Sequence, residues 1–165
     1  MSNGQPFYGK YRGIVSDNRD PFNMGRIRAR IPDVFGENES GWALPSLPYA
    51  GNGVGLFLLP PLNSSVWMEF EQGNPDYPIW TGCFWAKEGD APLTPAVPEK
   101  KLLKTDTGTI TLDDTPGSGG VFIETTAGMK ISIDSASITI DDGQGGSIKL
   151  TGPQVSINDG ALEVV

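Results

Sequence analysis

The sequence predicts an all-β protein in which a small closed barrel is followed by an array of short repeated strands. Helical periodicity is nearly absent, and short apolar–polar alternations bounded by Gly, Pro, Asn and Asp recur along the chain. The 165 residues include 22 Gly and 14 Pro, which provide turn residues for many short strands. The alternation changes character near residue 95, which indicates two domains.

The N-terminal part, assigned to residues 1–90, has aromatic-rich strands at uneven spacing. Five or six short strands in about 80 residues fit a small barrel better than a sandwich, which usually needs about seven. The predicted strands are 8–16, 25–31, 42–44, 54–59, 65–72 and 79–85.

Residues 91–104 are predicted to form a linker. Pro92, Pro95 and Pro98 recur at intervals of three. Prolines at this spacing favour an extended, semi-rigid connection over a packed element.

The C-terminal part, residues 105–165, repeats one unit: two aliphatic residues two positions apart, with polar neighbours and Gly-rich gaps. Each unit is a short strand with both aliphatic side chains on one face. The seven pairs are Ile110/Leu112, Val121/Ile123, Ile131/Ile133, Ile138/Ile140, Ile148/Leu150, Val155/Ile157 and Leu162/Val164.

A ribbon with one apolar face needs a cover for that face. The ribbon could coil into a single-chain β-helix, pack on the barrel, or pair with identical ribbons around a symmetry axis. The array is too short for three coils and the linker favours separation, so we predict three copies forming an intertwined prism. Its expected core is Ile131, Ile133, Ile138, Ile140, Ile148, Leu150, Val155 and Ile157.

Composition narrows the possible chemistry. There are 12 Lys and Arg against 20 Asp and Glu, a formal net charge of −8, no His and one Cys. His-dependent catalysis, His-containing zinc motifs and an internal disulfide are thereby excluded. We expect no enzymatic activity, no catalytic or metal-binding residue and no cofactor. No signal peptide precedes the first strand, so we expect synthesis in the cytoplasm.

Three short motifs allow a functional and a structural interpretation. Arg26, Arg28 and Arg30 alternate with apolar residues, so they share a strand face. They could follow nucleic-acid phosphates, with Tyr8, Tyr11 and Phe22 as stacking platforms, or pair with carboxylates such as those of Glu69 and Glu71. We expect pairing, and no nucleic acid as a partner.

Glu69 and Glu71 lie two residues apart and could act as paired carboxylates in glycoside hydrolysis, although surface glutamates are commoner. Asp141 and Asp142 begin a Gly-rich segment that fits a β-turn better than a calcium loop. Cys83 is most simply a small buried apolar residue.

Two sequence segments stand out, GRIRARIP at 25–32 and PPLNSSVWMEFEQGNPDYPIWTG at 60–82. In residues and spacing they resemble the baseplate assembly protein V group of phage baseplate spikes and the related VgrG spikes of type VI secretion. The resemblance covers about residues 8–86 and implies an N-terminal OB-fold barrel. The aliphatic array resembles the trimeric β-helix, or β-prism, that follows this barrel in the same family.

The resemblance implies a homotrimeric, membrane-piercing central spike of a contractile phage tail baseplate or related injection system. Its location would be the virion, or the equivalent injection particle, with transient contact to the target cell envelope. Some family members carry a lysozyme domain after the barrel, and some short spikes end in a His-x-His apex; neither is found here. Without such an apex we expect a PAAR-type tip protein as a partner, and without a fused hub domain we expect a separate hub protein. The alternatives are an OB-fold module for single-stranded nucleic acid and a small carbohydrate-active lytic enzyme.

Overall fold

A computed structural model describes residues 6–164, with side chains through Leu162. The chain divides into two compact units between Asp90 and Ala91. Nearly all regular structure is β, as the sequence predicts.

The N-terminal unit is a curled sheet with strand order β2-β1-β6-β7-β3. All neighbours are antiparallel except β3 and β7. A hairpin, β4–β5, forms a separate two-stranded sheet. The elements are β1 (Tyr11–Asp17), β2 (Arg28–Arg30), α1 (Pro32–Phe35), β3 (Leu44–Pro45), β4 (Ala50–Gly51), β5 (Val54–Gly55), β6 (Ser65–Phe70), a 3-10 turn (Glu71–Gly73) and β7 (Pro78–Cys83).

The core of this unit follows from strict alternation along its strands. Ile27, Ala29 and Ile31 are fully buried on one side of the arginine-bearing segment, and Val66 and Met68 are fully buried in β6. Register shifts in the β1–β2 and β6–β7 pairings bend the sheet around these side chains. The predicted barrel core is therefore present, although the regular strands are shorter than predicted.

The C-terminal unit is an eight-stranded antiparallel meander in which each strand pairs with its neighbours in sequence. A single-chain β-helix is therefore not formed. The strands are β8 (Lys100–Lys104), β9 (Gly108–Asp113), β10 (Gly120–Thr125), β11 (Lys130–Asp134), β12 (Ile138–Asp141), β13 (Ser147–Thr151), β14 (Gln154–Ile157) and β15 (Leu162–Val164).

Strand β8 lies inside the segment predicted as linker. The aliphatic residues of Lys100–Lys104 are adjacent, at Leu102 and Leu103, so this strand lacks the paired pattern of the other seven.

The tight turns between neighbouring strands of this sheet use positive φ angles. An example is the φ of 55° at Gly152, which begins the two-residue loop between β13 and β14.

Within residues 6–164, no helix combines the length and apolar character needed to cross a membrane.

Candidate functional site

The main candidate site is one face of the C-terminal sheet, called here the apolar face. Residues that stand opposite each other in an antiparallel pair share a face, so the strand register defines two rows across it. The first row is Leu103, Ile110, Ile123, Ile131, Ile140, Ile148, Ile157 and Leu162. The second is Lys101, Leu112, Val121, Ile133, Ile138, Leu150, Val155 and Val164.

All seven predicted aliphatic pairs lie in strands of this sheet, which confirms the repeat. In the single chain, twelve of these side chains remain exposed, the least at Val121 (37%) and the most at Leu162 (56%). With strands about 4.8 Å apart, the first row extends for roughly 34 Å. A continuous apolar band of this size marks an interaction surface.

The opposite face of the sheet is polar. Lys130 forms an ion pair with Glu124 at 2.9 Å between Nζ and Oε1, and its Nζ lies 5.2 Å from the centre of the Phe122 ring. The neighbours of Phe122 across the sheet are Thr111 and Ser132. This contrast between the two faces indicates that the apolar face is the one available for association with another protein surface.

The first edge strand of the sheet is lysine-rich. Lys100 pairs with Asp113 at 3.3 Å between Nζ and Oδ2, and Lys101 pairs with Asp114. The hydroxyl and backbone N–H of Thr115, followed by Lys100, hold the pKa of Asp113 below its usual range. Lysines on an edge strand discourage uncontrolled pairing with other strands.

The Gly-rich segment after Asp141 connects β12 to β13, in agreement with the predicted turn. Asp142 accepts hydrogen bonds from the backbone N–H groups of Gln144 and Gly146, and these lower its pKa. Asp141 accepts one from Gly143. Both carboxylates therefore stabilise the loop itself.

The arginine segment of the N-terminal unit is the second candidate site. Nη2 of Arg26 lies 2.6 Å from Oδ1 of the buried Asp20, and its guanidinium lies over Phe22 and Trp42 at 4.7 and 5.6 Å. The guanidinium, together with the backbone N–H groups of Phe22 and Met24, holds the pKa of Asp20 far below its usual range.

Arg28 continues this arrangement along the segment. Its Nη1 lies 2.7 Å from Oε1 of Glu39, and its guanidinium lies 5.0 Å from the Trp42 ring. Glu39 also accepts a hydrogen bond from Ser16, and both contacts lower its pKa. Pairing with carboxylates is confirmed for Arg26 and Arg28.

The prediction that Glu69 and Glu71 pair with these arginines was wrong. Strand order places β2 at the sheet edge, so β6, which carries Glu69, lies two strands away. The partners are instead the two carboxylates, Asp20 and Glu39, that the flanking loops bring beside the arginines. A sequence signal existed, because Asp20 begins a turn that returns the chain to Arg26.

The stacking interpretation also fails at one position. The Tyr11 ring packs against Phe7 and Phe70, at 6.0 and 5.6 Å between ring centres, and contributes to the core. Tyr8 and Phe22 are exposed, but Arg26 already lies over the Phe22 ring.

Comparison with known proteins covers both units. Residues 11–85 match the type VI secretion system/phage-baseplate injector OB domain. Residues 100–163 match the phage baseplate V C-terminal trimerisation domain. The two matches come in the order and at the positions of the two units.

The chain belongs to the phage baseplate V family. It is also 33% identical over 88 residues to the actin cross-linking toxin VgrG1 of Vibrio cholerae serotype O1. That alignment spans 50% of this chain and 8% of the toxin. In the baseplate V chain, the apolar face therefore belongs to a trimerisation domain.

The paired-carboxylate interpretation is not supported in this baseplate V chain. Glu69 lies on the outer face of β6, where its Oε1 is 2.6 Å from Nζ of Lys10. Glu71 lies beyond the strand, in the 3-10 turn, because β6 ends at Phe70. The two carboxylates therefore do not share a strand face.

The expectation that Cys83 is buried was wrong, since its side chain is exposed. Cys83 is the last residue of β7 and follows the register shift in the β6–β7 pairing, so it lies beyond Pro78 and Trp80, the two residues that this strand buries. Partial burial nevertheless raises the pKa of its thiol.

Proposed function

We propose that this baseplate V chain is the structural central spike of a contractile tail baseplate or a related contractile injection system. It acts as a homotrimer, and it is not proposed to catalyse a reaction. The observation that carries the proposal is the apolar face: two rows across eight strands, aliphatic at every position except Lys101, within a domain matched to a trimerisation domain.

The trimer supplies what the single chain lacks. Three copies that turn their apolar faces toward a common axis bury Ile131, Ile140 and Ile148 of each copy in one closed core. Burial of each half-exposed isoleucine contributes about 1 kcal/mol, so the summed rows favour association strongly. The polar face, with Lys130 and Glu124, then forms the outside.

The mechanical role rests on the meander. Every interior strand is hydrogen-bonded to a neighbour on both sides, and each tight loop joins adjacent strands. Such a unit resists axial load through many backbone hydrogen bonds acting together. Contraction of a sheath would drive this needle through the target envelope.

The proposal includes two protein partners and a location. The OB unit docks on a separate hub, and a PAAR-type tip caps the C-terminal end of the spike. The particle is a virion tail baseplate or an equivalent injector. Membership of a family described by injector and baseplate domains supports this assignment.

Mass in solution tests the first step. Sedimentation equilibrium of the purified chain should give three times 17.6 kDa, and a monomer would refute the spike. The role as a spike is tested in particles. Removal of the chain should abolish killing or infection, while the other particle proteins are still synthesised in the cells. Wild-type complementation should restore activity.

Two further assays address the alternative functions. Fluorescence anisotropy should detect no oligonucleotide binding tighter than roughly 10 μM at physiological salt. Glycan turnover that disappears in Glu69→Gln would instead favour a lytic enzyme.

A further inference from the structure

The β4–β5 hairpin and its flanks, residues 48–58, form the most exposed apolar segment of the OB unit; we call it the apolar hairpin. All eleven residues are exposed. Their large apolar side chains are Tyr49, Val54, Leu56, Phe57 and Leu58. Single exposed apolar residues are ordinary, but five within one hairpin form a patch.

The hairpin has little internal support. Only two residue pairs, Ala50 with Gly55 and Gly51 with Val54, form its ladder, and one further hydrogen bond joins Leu56 N–H to the Tyr49 carbonyl at 2.9 Å. Isolated two-stranded sheets are marginally stable in water. A covering surface would therefore both bury the apolar side chains and hold the hairpin in place.

The absence of charged residues around the apolar hairpin indicates what kind of surface covers the hairpin. Between Glu39 and Glu69 there is no Asp, Glu, Lys or Arg, although 19% of the chain is charged. Residues 1–90 have 7 Lys and Arg against 10 Asp and Glu, a net charge of −3, so contact between identical copies through an acidic part of this unit would set like charges against each other. The apolar hairpin avoids that penalty, and it offers no charge for a complementary partner to recognise.

The length of the connection places other copies within reach. The OB match ends at residue 85 and the trimerisation match begins at residue 100, which leaves 14 residues between them. Fully extended, these residues span at most about 50 Å. Three OB units tethered at that distance face one another at effective concentrations in the millimolar range, where even a weak contact forms.

We propose that the apolar hairpins of the three copies pack against one another and close the OB units into a ring. The occupant of the patch is thus a second copy of this chain. The proposal rests on the homotrimer of the proposed function, and it assigns a contact outside the trimerisation domain.

Two tyrosines of equal exposure provide an internal comparison. Tyr49 in the hairpin is 60% exposed in the single chain, and Tyr77, elsewhere on the OB unit, is 61% exposed. In hydroxyl-radical footprinting of the purified full-length trimer, without any hub, Tyr49 should be labelled several-fold less than Tyr77. Phe57→Ser should raise labelling of Tyr49 while the mass stays trimeric, and Trp85→Ser, at another exposed ring, should not.

The outcomes are distinct. Equal labelling of Tyr49 and Tyr77 in a protein that sediments as a trimer would overturn the ring and leave the hairpin open for another protein, such as the hub. Protection of both tyrosines to the same degree would also overturn it, because the contact would not be specific to the hairpin. A monomeric mass would instead refute the proposed spike, so the two failures are distinguishable.

Discussion

Substitution of one isoleucine on the apolar face should abolish the trimer. Ile140 lies in the middle of the first row, between Ile131 and Ile148, and is 46% exposed in the single chain. Ile140→Asp places a carboxylate there in each of the three copies. The substitution should change the stability of the single chain only slightly, because the side chain at this position is already about half exposed to solvent.

The expected magnitude follows from two unequal contributions. Loss of the apolar contact removes about 1 kcal/mol per copy. A carboxylate enclosed in an apolar core without a partner costs several kcal/mol per copy, so the charge dominates. For three copies the total is on the order of 10 kcal/mol, and since 1.4 kcal/mol is a factor of ten, the association constant should fall by about seven orders of magnitude.

The adjacent residue provides the matched control. Thr139 occupies the same strand on the polar face, opposite Lys149. Thr139→Asp adds the same charge where solvent and a lysine can accommodate it. Sedimentation velocity should therefore show a monomer of 17.6 kDa for Ile140→Asp and the wild-type trimer for Thr139→Asp.

Either of two results would refute this reasoning. A stable Ile140→Asp trimer would mean that the row is not enclosed. Equal dissociation of both variants would mean that added negative charge, and not burial, disrupts assembly.

Three further predictions concern the OB unit. Asp20→Asn should lower the urea midpoint of this unit at pH 7; because the folded pKa of Asp20 is depressed far below its unfolded value of about 4, wild type loses this advantage progressively as pH falls below about 4, and the difference between the two midpoints should shrink over that range. Gly13→Ala should cost about 1–3 kcal/mol of unfolding free energy, since the new Cβ would lie 2.8 Å from Cγ of buried Met68, whereas Gly41→Ala, with open space around it, should be neutral in the same titration. Glu69→Gln breaks only an exposed pair with Lys10, so a change in unfolding free energy above about 1 kcal/mol would contradict the surface role assigned to it.

The alternation of apolar and polar side chains along the strands made much of this fold predictable. The alternation around Arg26, Arg28 and Arg30 predicted the buried side of that segment, and the aliphatic pairs predicted seven of the eight strands of the meander. Both depend only on side chains alternating between the faces of a strand.

Features that depend on contacts distant in sequence were less predictable. The ion pair of Arg28 with Glu39 depends on how loops return to the sheet edge, which alternation does not encode. Strand β8 was missed because its place is determined by pairing with β9 and not by its own pattern. The exposure of Cys83 depends on the register shift at the end of the β6–β7 pairing, which alternation along β7 does not encode.

Neighbour-to-neighbour pairing in the C-terminal sheet has an evolutionary consequence. Because each strand contacts mainly the strands before and after it in sequence, duplication of one hairpin would lengthen the sheet by about 10 Å without disturbing the rest. An even number of added strands keeps the final strand running in its original direction, whereas an odd number reverses it. Spike length can thus be adjusted in steps of two strands, and recombination between relatives at the loops would exchange long and short spikes while preserving the shared register.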